Sequence, residues 1–265
     1  MLLVNTGLFC SIVVCFTTVL FLMMQIKADN SLIDIAYGLL FFFSGFVLLL
    51  LINIYTPLAI IMLTCIGIWA LRLSYRIFKK NYGRGEDERY KNWRTQWMKK
   101  GTLYFILRSF FQINVLQGII ITLVALPFIL ATTTTNTTLS LFVYVGLLVF
   151  ATGFLIELIA DAQLDTFLAQ KKAGTLSTPI MKTGLFRYSR RPNYFGETLI
   201  WWGLAIMVLP LHYGYVALLS PFLITYIVAY ITGPMLEKIF IDRYGELYKA
   251  YMRETSYFIP LPPKT

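Results

Sequence analysis

Residues 184–203 read GLFRYSRRPNYFGETLIWWG and join a basic, aromatic loop to an apolar segment. Pro192 is favoured at the first position of a helix, because its missing N–H would be unpaired there anyway. A helix that begins at Pro192 points its free N–H groups, and the positive end of its dipole, at the preceding loop. That loop carries Arg187, Arg190 and Arg191. The stretch therefore predicts a site for an anion.

The same helix carries polar groups one turn further on. Asn193 and Glu197 stand four residues apart and therefore share a helix face, with Trp201 a further turn along. A carboxylate in an otherwise apolar helix is costly, which makes Glu197 a functional candidate.

The composition indicates a membrane protein. The 265 residues are 58% hydrophobic and only 14% charged, whereas a soluble domain carries about 25% charged residues. Seven apolar runs are each long enough to cross a hydrocarbon core of roughly 30 Å. The runs are residues 2–26, 32–53, 57–78, 102–130, 139–169, 193–210 and 214–232. We expect an all-α polytopic membrane protein of about seven transmembrane helices, forming a single domain over 1–265, with a cytoplasmic amphipathic tail.

The basic residues predict the topology. All 23 Lys and Arg fall at Lys27, in 72–108, in 171–191 or in 238–264, which are alternate connections between the runs. The positive-inside rule then places the C-terminal tail in the cytoplasm and the N-terminus outside. A net charge of +10 sorted in this way argues against nucleic-acid binding. A bacterial inner membrane fits better than an endoplasmic reticulum.

Metal and disulfide chemistry are not expected. His212 is the one histidine and lies in a short outer connection, where it is more often only a loop residue. Cys10, Cys15 and Cys65 lie within apolar runs at no ligand spacing.

Polar groups within or beside the other runs are weaker candidates. Asp34 either complements the dipole of a helix N-terminus or contacts a cofactor or substrate. Gln117 belongs to a run with an unusual load of hydrogen-bonding groups, which hold helices together or line a polar cavity. The carboxylates Glu157, Asp161 and Asp165 form one helical stripe. The stripe belongs either to a structural ion-pair network or to a site for ribose or amide groups.

The whole pattern resembles the steroid 5-alpha-reductase-like family of membrane reductases, in its largely uncharacterised bacterial and eukaryotic branch. Residues 184–197 with Trp201-Trp202-Gly203 resemble the C-terminal signature of that family, and the resemblance extends over 31–265. The other matching positions are Asp34, Arg84 to Asp87, Arg89-Tyr90, Gln117-Gly118, Glu157, Asp161, Gln163-Leu164, Gly245, Tyr248, Tyr251 and Pro260. One departure is Arg191, where the family usually has histidine, so a proton-transfer role at that position is not expected.

The resemblance implies a reductase that takes a hydride from NADPH. Arginine forks suit its phosphate groups, which assigns Arg187, Arg190 and Arg191 to the cofactor. Asn193 and Glu197 resemble residues that hold the nicotinamide end. The other implied cofactor contacts are Asp161 and Tyr248 toward the adenosine and ribose, Gln163 at a position not specified further, and Arg84 and Asp87 in a loop that closes over the cofactor.

The implied reaction reduces an activated, enone-like C=C bond in a steroid- or isoprenoid-like lipid. A donor is needed at the carbonyl oxygen, where charge develops as the hydride arrives. The candidates are Tyr37, Tyr194 and a protonated Glu197, and we expect Glu197 with Tyr194. Asp34 and Gln117 are the candidate contacts to the substrate.

Two other functions fit parts of the pattern. An isoprenylcysteine-type membrane methyltransferase uses a similar Arg-x-Pro-x-Tyr signature to hold S-adenosylmethionine. A transporter or non-enzymatic lipid-binding protein is favoured less, because such proteins often consist of two similar halves and no internal repeat is visible. The lipid substrate, the preference for NADPH over NADH and the oligomeric state do not follow from the sequence.

Overall fold

The computed structural model describes residues 1–83, 85–176 and 178–264, and this part of the chain is helical apart from connecting loops and one isolated bridge. The helices are α1 (Leu2–Lys27), α2 (Leu32–Ile52), α3 (Pro57–Asn81), α4 (Glu88–Met98), α5 (Thr102–Val124), α6 (Leu126–Ala131), α7 (Leu141–Lys172), α8 (Pro192–Val208), α9 (Gly214–Tyr244) and α10 (Glu246–Glu254). A single 3₁₀ turn, Gly184–Arg187, precedes α8. The prediction of an all-α protein is confirmed.

Six helices in the described residues are long and apolar enough to cross a membrane, namely α1, α2, α3, α5, α7 and α9. They identify a multi-pass integral membrane protein. The predicted run 193–210 corresponds to α8, which has only 17 residues. At 1.5 Å per residue α8 rises about 26 Å, which is less than the roughly 30 Å core that the other six helices can cross.

Proline accounts for a second difference from the predicted spans. The run 102–130 was expected to be one helix, but α5 ends at Val124 and the short α6 follows. Ala125 between them has ψ near −2°. Pro127 cannot donate a backbone hydrogen bond and its ring crowds the preceding turn, so the helical ladder is interrupted there.

The chain divides into two compact units. The first unit comprises Met1–Leu139 with Pro210–Ala217, and the second comprises Ser140–Leu209 with Leu218–Thr265. In the first unit α2 packs against both α1 and α3, and the buried rings of Phe41 on α2 and Trp69 on α3 contact each other. The prediction of a single domain stays a prediction.

The second unit is built on the pair α7 and α8, whose backbones approach closely at glycines. Gly146 and Gly153 on α7 are seven residues apart, as are Gly196 and Gly203 on α8. A Cβ on Gly153 would lie 2.6 Å from the Gly196 carbonyl oxygen, and one on Gly203 would lie 2.7 Å from that of Gly146. Small residues at such positions let membrane helices pack on backbone atoms.

The tail is amphipathic, as predicted, and the structure shows what covers its apolar face. Tyr248 and Tyr251 on α10 are buried and cluster with Ile180 and Phe240. The Tyr251 hydroxyl donates to the backbone carbonyl of Phe186. The apolar face of α10 therefore packs on the second unit itself.

Candidate functional site

Arg191 occupies the cap position of α8, immediately before Pro192, as the sequence predicts. Its guanidinium lies 5.1 Å from the ring centre of Phe240 and 5.9 Å from that of Tyr194. Within the described residues, its Nε and Nη2 atoms are buried and have no hydrogen-bond partner. Buried N–H donors without an acceptor are costly, and an anion that accepts hydrogen bonds from Nε and Nη2 would remove that cost.

The helix behind Arg191 adds to the attraction for an anion. Among the described side chains none caps the N-terminus of α8, so its first N–H groups and the positive end of its dipole remain available. Asn193, Tyr194 and Glu197 lie in the first two turns and are each partly exposed. The structure thus brings Arg191 together with the polar residues that the sequence singles out on α8.

Arg190 has a different role from the predicted one. Its side chain is 8% exposed, and its Nη2 pairs with Glu237 Oε2 at 2.9 Å. Its Nη1 donates to the backbone carbonyls of Thr255 at 2.6 Å and Met252 at 3.1 Å. Because the Arg190 guanidinium is hydrogen-bonded to protein groups, we assign it a structural role in place of the expected contact with phosphate.

Tyr248 belongs to the same buried network. Its hydroxyl donates to Glu237 Oε1 at 2.7 Å, and its side chain is 3% exposed. Burial, and then the hydrogen bond to Glu237, hold the pKa of Tyr248 above its ordinary value, so the phenol keeps its proton and its donor role. The expected contact of Tyr248 with adenosine or ribose is therefore replaced by a contact with Glu237.

The end of the chain runs alongside the arginine loop. The Arg190 backbone N–H donates to the carbonyl of Ser256 at 2.9 Å, and the Ser189 hydroxyl donates to that of Phe258 at 2.7 Å. The Leu261 N–H donates to the carbonyl of Tyr188 at 3.0 Å. These bonds fix the backbone of the loop that presents Arg187 and Arg191, while Arg187 itself stays exposed.

The carboxylates of α7 divide by burial. Glu157 and Asp161 are 4% and 5% exposed, whereas Asp165 is exposed. Asp161 therefore lies in the interior of the second unit.

Gln163, expected at the cofactor, also supports the loop. Its Oε1 accepts from the backbone N–H of Leu185 at 2.9 Å. Gly184 has a positive φ of 60°, and its backbone presses against the Gln163 amide so closely that a Cβ would overlap it. The Gln163 amide thus helps to hold the turn that leads to Arg187, and it also lines a cavity described below.

Asp34 and Tyr90 lie in the first unit and join α2 to α4. Asp34 Oδ2 pairs with the Arg89 guanidinium at 2.8 Å, and Oδ1 accepts from the Tyr90 hydroxyl at 2.7 Å. Burial, and then the charge of Asp34, raise the pKa of Tyr90, so its hydroxyl remains a donor. Asp34 thus anchors α4, in addition to lying in the first turn of α2.

The acidic loop before α4 is also held by pairs between charged residues. Asp87 caps α4 by accepting from the Arg89 N–H at 3.0 Å. Burial acts to raise the pKa of Asp87, but the hydrogen bonds and charge of Arg89 outweigh it and hold that pKa below its ordinary value. Glu86 pairs with Arg94 at 2.9 Å and accepts from the backbone N–H of Asn30. Arg84, the other predicted residue of this loop, lies outside the described residues.

The remaining predicted residues also lie in the first unit. Tyr37 makes edge-to-face contacts with Phe41 and Trp69 at ring-centre distances of 5.2 Å and 6.3 Å. Gln117 is partly exposed on α5, just after a π-helical stretch, Ser109–Val115. Within the described residues, the buried Asn114 Oδ1 of that stretch has no hydrogen-bond partner. Such π-helical stretches are frequent at functional sites.

We expect Glu86→Gln to loosen α4, because glutamine keeps an acceptor for Asn30 but removes the charge that pairs with Arg94. A charge-assisted hydrogen bond is worth about 1.5–3 kcal/mol, so amide hydrogens of residues 88–98 should exchange at least about tenfold faster. The measurement is hydrogen exchange of the detergent-solubilised protein. Glu88→Gln, an exposed acid in the first turn of α4, is the control. Equal exchange in the two variants would contradict the anchoring role of Glu86.

Two features of the site were not predicted. Glu237 follows Pro234 and reads as an ordinary acid at a membrane boundary, because its partner Arg190 is 47 residues away. The pairing of the tail with residues 188–190 involves backbone atoms, which carry no sequence signal. The glycines at matching seven-residue spacing were the one available signal for the close pairing of α7 with α8.

Comparisons with known proteins identify a family but no established function. The family described as "Protein of unknown function (DUF1295)" matches residues 20–255. A Schizosaccharomyces pombe protein described as uncharacterized is 28% identical over 194 residues, which are 67% of this chain and 55% of the relative. The chain thus matches about half the length of that relative. No solved structure matches the chain significantly.

Proposed function

The chain belongs to the DUF1295 family, and we propose that it is an NADPH-dependent membrane reductase of an activated C=C bond in a lipophilic substrate. The substrate class we propose is steroid- or isoprenoid-like. The C-terminal tail lies in the cytoplasm, where NADPH is available, and a bacterial inner membrane is the proposed location.

The observation that carries this proposal is the pair of buried guanidinium nitrogens of Arg191, Nε and Nη2. Two of its N–H groups lack a partner within the described residues, and it stands at a helix N-terminus that no described side chain caps. The dinucleotide carries several phosphate charges, and both a guanidinium and a helix N-terminus attract phosphate. The exposed Arg187 adds a further positive charge on the same loop.

The resemblance to the steroid 5-alpha-reductase-like family supports the choice of cofactor and reaction. It rests on the same stretch, with Asn193 and Glu197 at the positions that resemble the family's nicotinamide contacts. Both residues are partly exposed on α8, two and six residues after Arg191. A phosphate-binding loop followed by an amide and a carboxylate is a suitable arrangement for the two ends of one dinucleotide.

The proposed chemistry assigns separate tasks to these side chains. NADPH, when bound, supplies a hydride for the β-carbon of an enone-like substrate. Tyr194, with Glu197, donates the proton that the carbonyl oxygen needs as negative charge develops on it. Arg191 and Asn193 bind NADPH and orient it. The membrane helices exclude water from an apolar substrate.

Thermal unfolding with NADPH, NADH and S-adenosylmethionine in parallel tests the reaction class. A ligand that binds only the folded state adds about 2.7 kcal/mol of stability at one hundred times its dissociation constant. We expect NADPH to raise the unfolding temperature of the detergent-purified protein and S-adenosylmethionine to leave it unchanged. If S-adenosylmethionine alone raised the unfolding temperature, the result would contradict the reductase and favour the methyltransferase.

Tyr194→Phe separates proton donation from binding. Loss of one general-acid group lowers turnover by about 10²–10⁴-fold, while NADPH affinity should stay within about twofold because phenylalanine keeps the ring beside Arg191. The assay follows NADPH oxidation with a lipophilic enone. Turnover equal to that of the unmodified protein would remove Tyr194 from the proposed mechanism.

A further inference from the structure

A cationic cavity lies in the second unit beside the arginine loop. Its volume is about 470 Å³. The lining residues are Lys182, Thr183, Gly184, Arg187, Glu254, Thr255, Pro263 and Lys264. Each of three chain segments contributes one basic side chain. Lys182 comes from the loop before the 3₁₀ turn, Arg187 from the turn and Lys264 from the tail. We refer to these residues as the tail pocket.

Among the described lining residues of the tail pocket, three are basic and one is acidic. Its one carboxylate, Glu254, pairs with Lys182 at 3.2 Å. The two remaining basic residues of the lining, Arg187 and Lys264, are both exposed to solvent. The backbone N–H of Lys264 donates to the carbonyl of Glu254 at 2.8 Å, which holds the end of the tail at the pocket. Within the described lining residues two positive charges remain after this pairing, and beside threonine hydroxyls they suit a dianionic phosphate.

A second cavity adjoins the tail pocket and differs in character. Its volume is about 510 Å³, and it shares Lys182, Thr183 and Gly184 with the tail pocket. Its other walls include Phe167 and Met181, which are apolar, and the amides of Gln163 and Gln170. A flat ring with hydrogen-bonding edges suits such a lining. The two cavities together fit a planar base joined to a phosphate.

The position of the cavities favours a water-soluble ligand over a lipid. Helix α7 has 32 residues and is therefore about 48 Å long, against a hydrocarbon core of about 30 Å. The second cavity lies along residues 162–170, in the last three turns of this helix. Those turns lie beyond the part of α7 that is needed to cross the membrane core, where a water-soluble ligand has access.

From these observations we infer that the tail pocket binds the 2′-phosphate of NADPH, with the adenine in the adjoining cavity, and thereby selects NADPH over NADH. This inference rests on the proposed function. It assigns the preference for NADPH over NADH to Lys182, Arg187 and Lys264. Arg191 then binds a part that NADPH and NADH have in common.

The test measures dissociation constants of NADPH, NADH, 2′,5′-ADP and 5′-AMP for the purified full-length protein. The variants are Lys264→Ala and the double variant Lys182→Ala with Lys264→Ala, and Lys249→Ala on the same tail is the control. Lost charge-assisted hydrogen bonds of about 1.5–3 kcal/mol correspond to about 10–100-fold in affinity. We expect NADPH and 2′,5′-ADP to weaken by that factor in the double variant, with NADH and 5′-AMP within about twofold. Arginine at both positions should restore tight NADPH binding.

The possible failures are distinguishable. Unchanged NADPH and 2′,5′-ADP affinity in the double variant, in a protein that binds NADPH, would overturn the tail pocket alone. Equal weakening of NADPH and NADH would also overturn it, because the two differ only in the 2′-phosphate. Failure of the unmodified protein to bind any of the four ligands would overturn the proposed function, and the inference with it.

Discussion

Gly153→Ala is expected to destabilise the second unit, although alanine is normally the better helix former by about 1 kcal/mol. The added Cβ would lie 2.6 Å from the Gly196 carbonyl oxygen and 2.8 Å from the Ile200 backbone nitrogen. These are backbone atoms and cannot move aside as a side chain would, so α7 and α8 must separate. Overpacking of this kind costs about 1–3 kcal/mol and occasionally more.

The control for this prediction is Gly7→Ala on α1, where an added Cβ meets nothing within 4 Å. We expect that variant to be neutral or slightly more stable, so the two substitutions should act in opposite directions. The measurement is thermal unfolding of both variants in the same detergent. Equal unfolding temperatures for Gly153→Ala and Gly7→Ala would contradict the close packing of α7 on α8 at Gly153.

Glu237→Ala should have an effect of similar or larger size. It leaves the Arg190 guanidinium, which is 8% exposed, without the carboxylate that pairs with it at 2.9 Å. It also removes the acceptor of the Tyr248 hydroxyl. Removal of one partner from a buried ion pair costs about 3–5 kcal/mol, so we expect a large loss of stability or of folded protein.

A second variant separates the buried charge from a general loss of packing. Arg190→Met combined with Glu237→Leu removes both charges, and we expect it to be more stable than Glu237→Ala alone. Recovery should be partial, because Arg190 also donates to the carbonyls of Thr255 and Met252. Asp242→Ala, an exposed acid on the same helix, is the control. A Glu237→Ala protein as stable as Asp242→Ala would refute the buried pair.

The helices could be predicted from sequence because a membrane imposes a simple requirement. Runs of apolar residues of sufficient length must be helical to satisfy their backbone groups in lipid, and most of the predicted runs correspond to observed helices. The differences arise where local chemistry changes the helix. Pro127 divides the run 102–130, and the glycines on α8 let it pack closely on α7.

The position of Arg191 at the start of α8 could be predicted from the sequence, but the contacts of each arginine could not. Arg190 and Arg191 are adjacent and chemically identical, so no local signal tells which one faces an anion. The choice depends on Glu237 and on the backbone carbonyls near Thr255, which reach Arg190 only in the folded chain. Arg191 lies at the cap of α8 because Pro192 begins the helix, and that part follows directly from the sequence.

The central claim is that Arg191 at the N-terminus of α8 binds NADPH, and its most direct test is the equilibrium dissociation constant of NADPH. The proteins compared are the unmodified chain, Arg191→Ala and Arg243→Ala, the last an exposed arginine on α9 that serves as control. We expect Arg191→Ala to bind NADPH at least about tenfold more weakly, since charge-assisted hydrogen bonds of about 1.5–3 kcal/mol are lost. Arg243→Ala should bind as the unmodified chain does. Equal affinity in all three proteins would contradict the assignment of Arg191 to the cofactor.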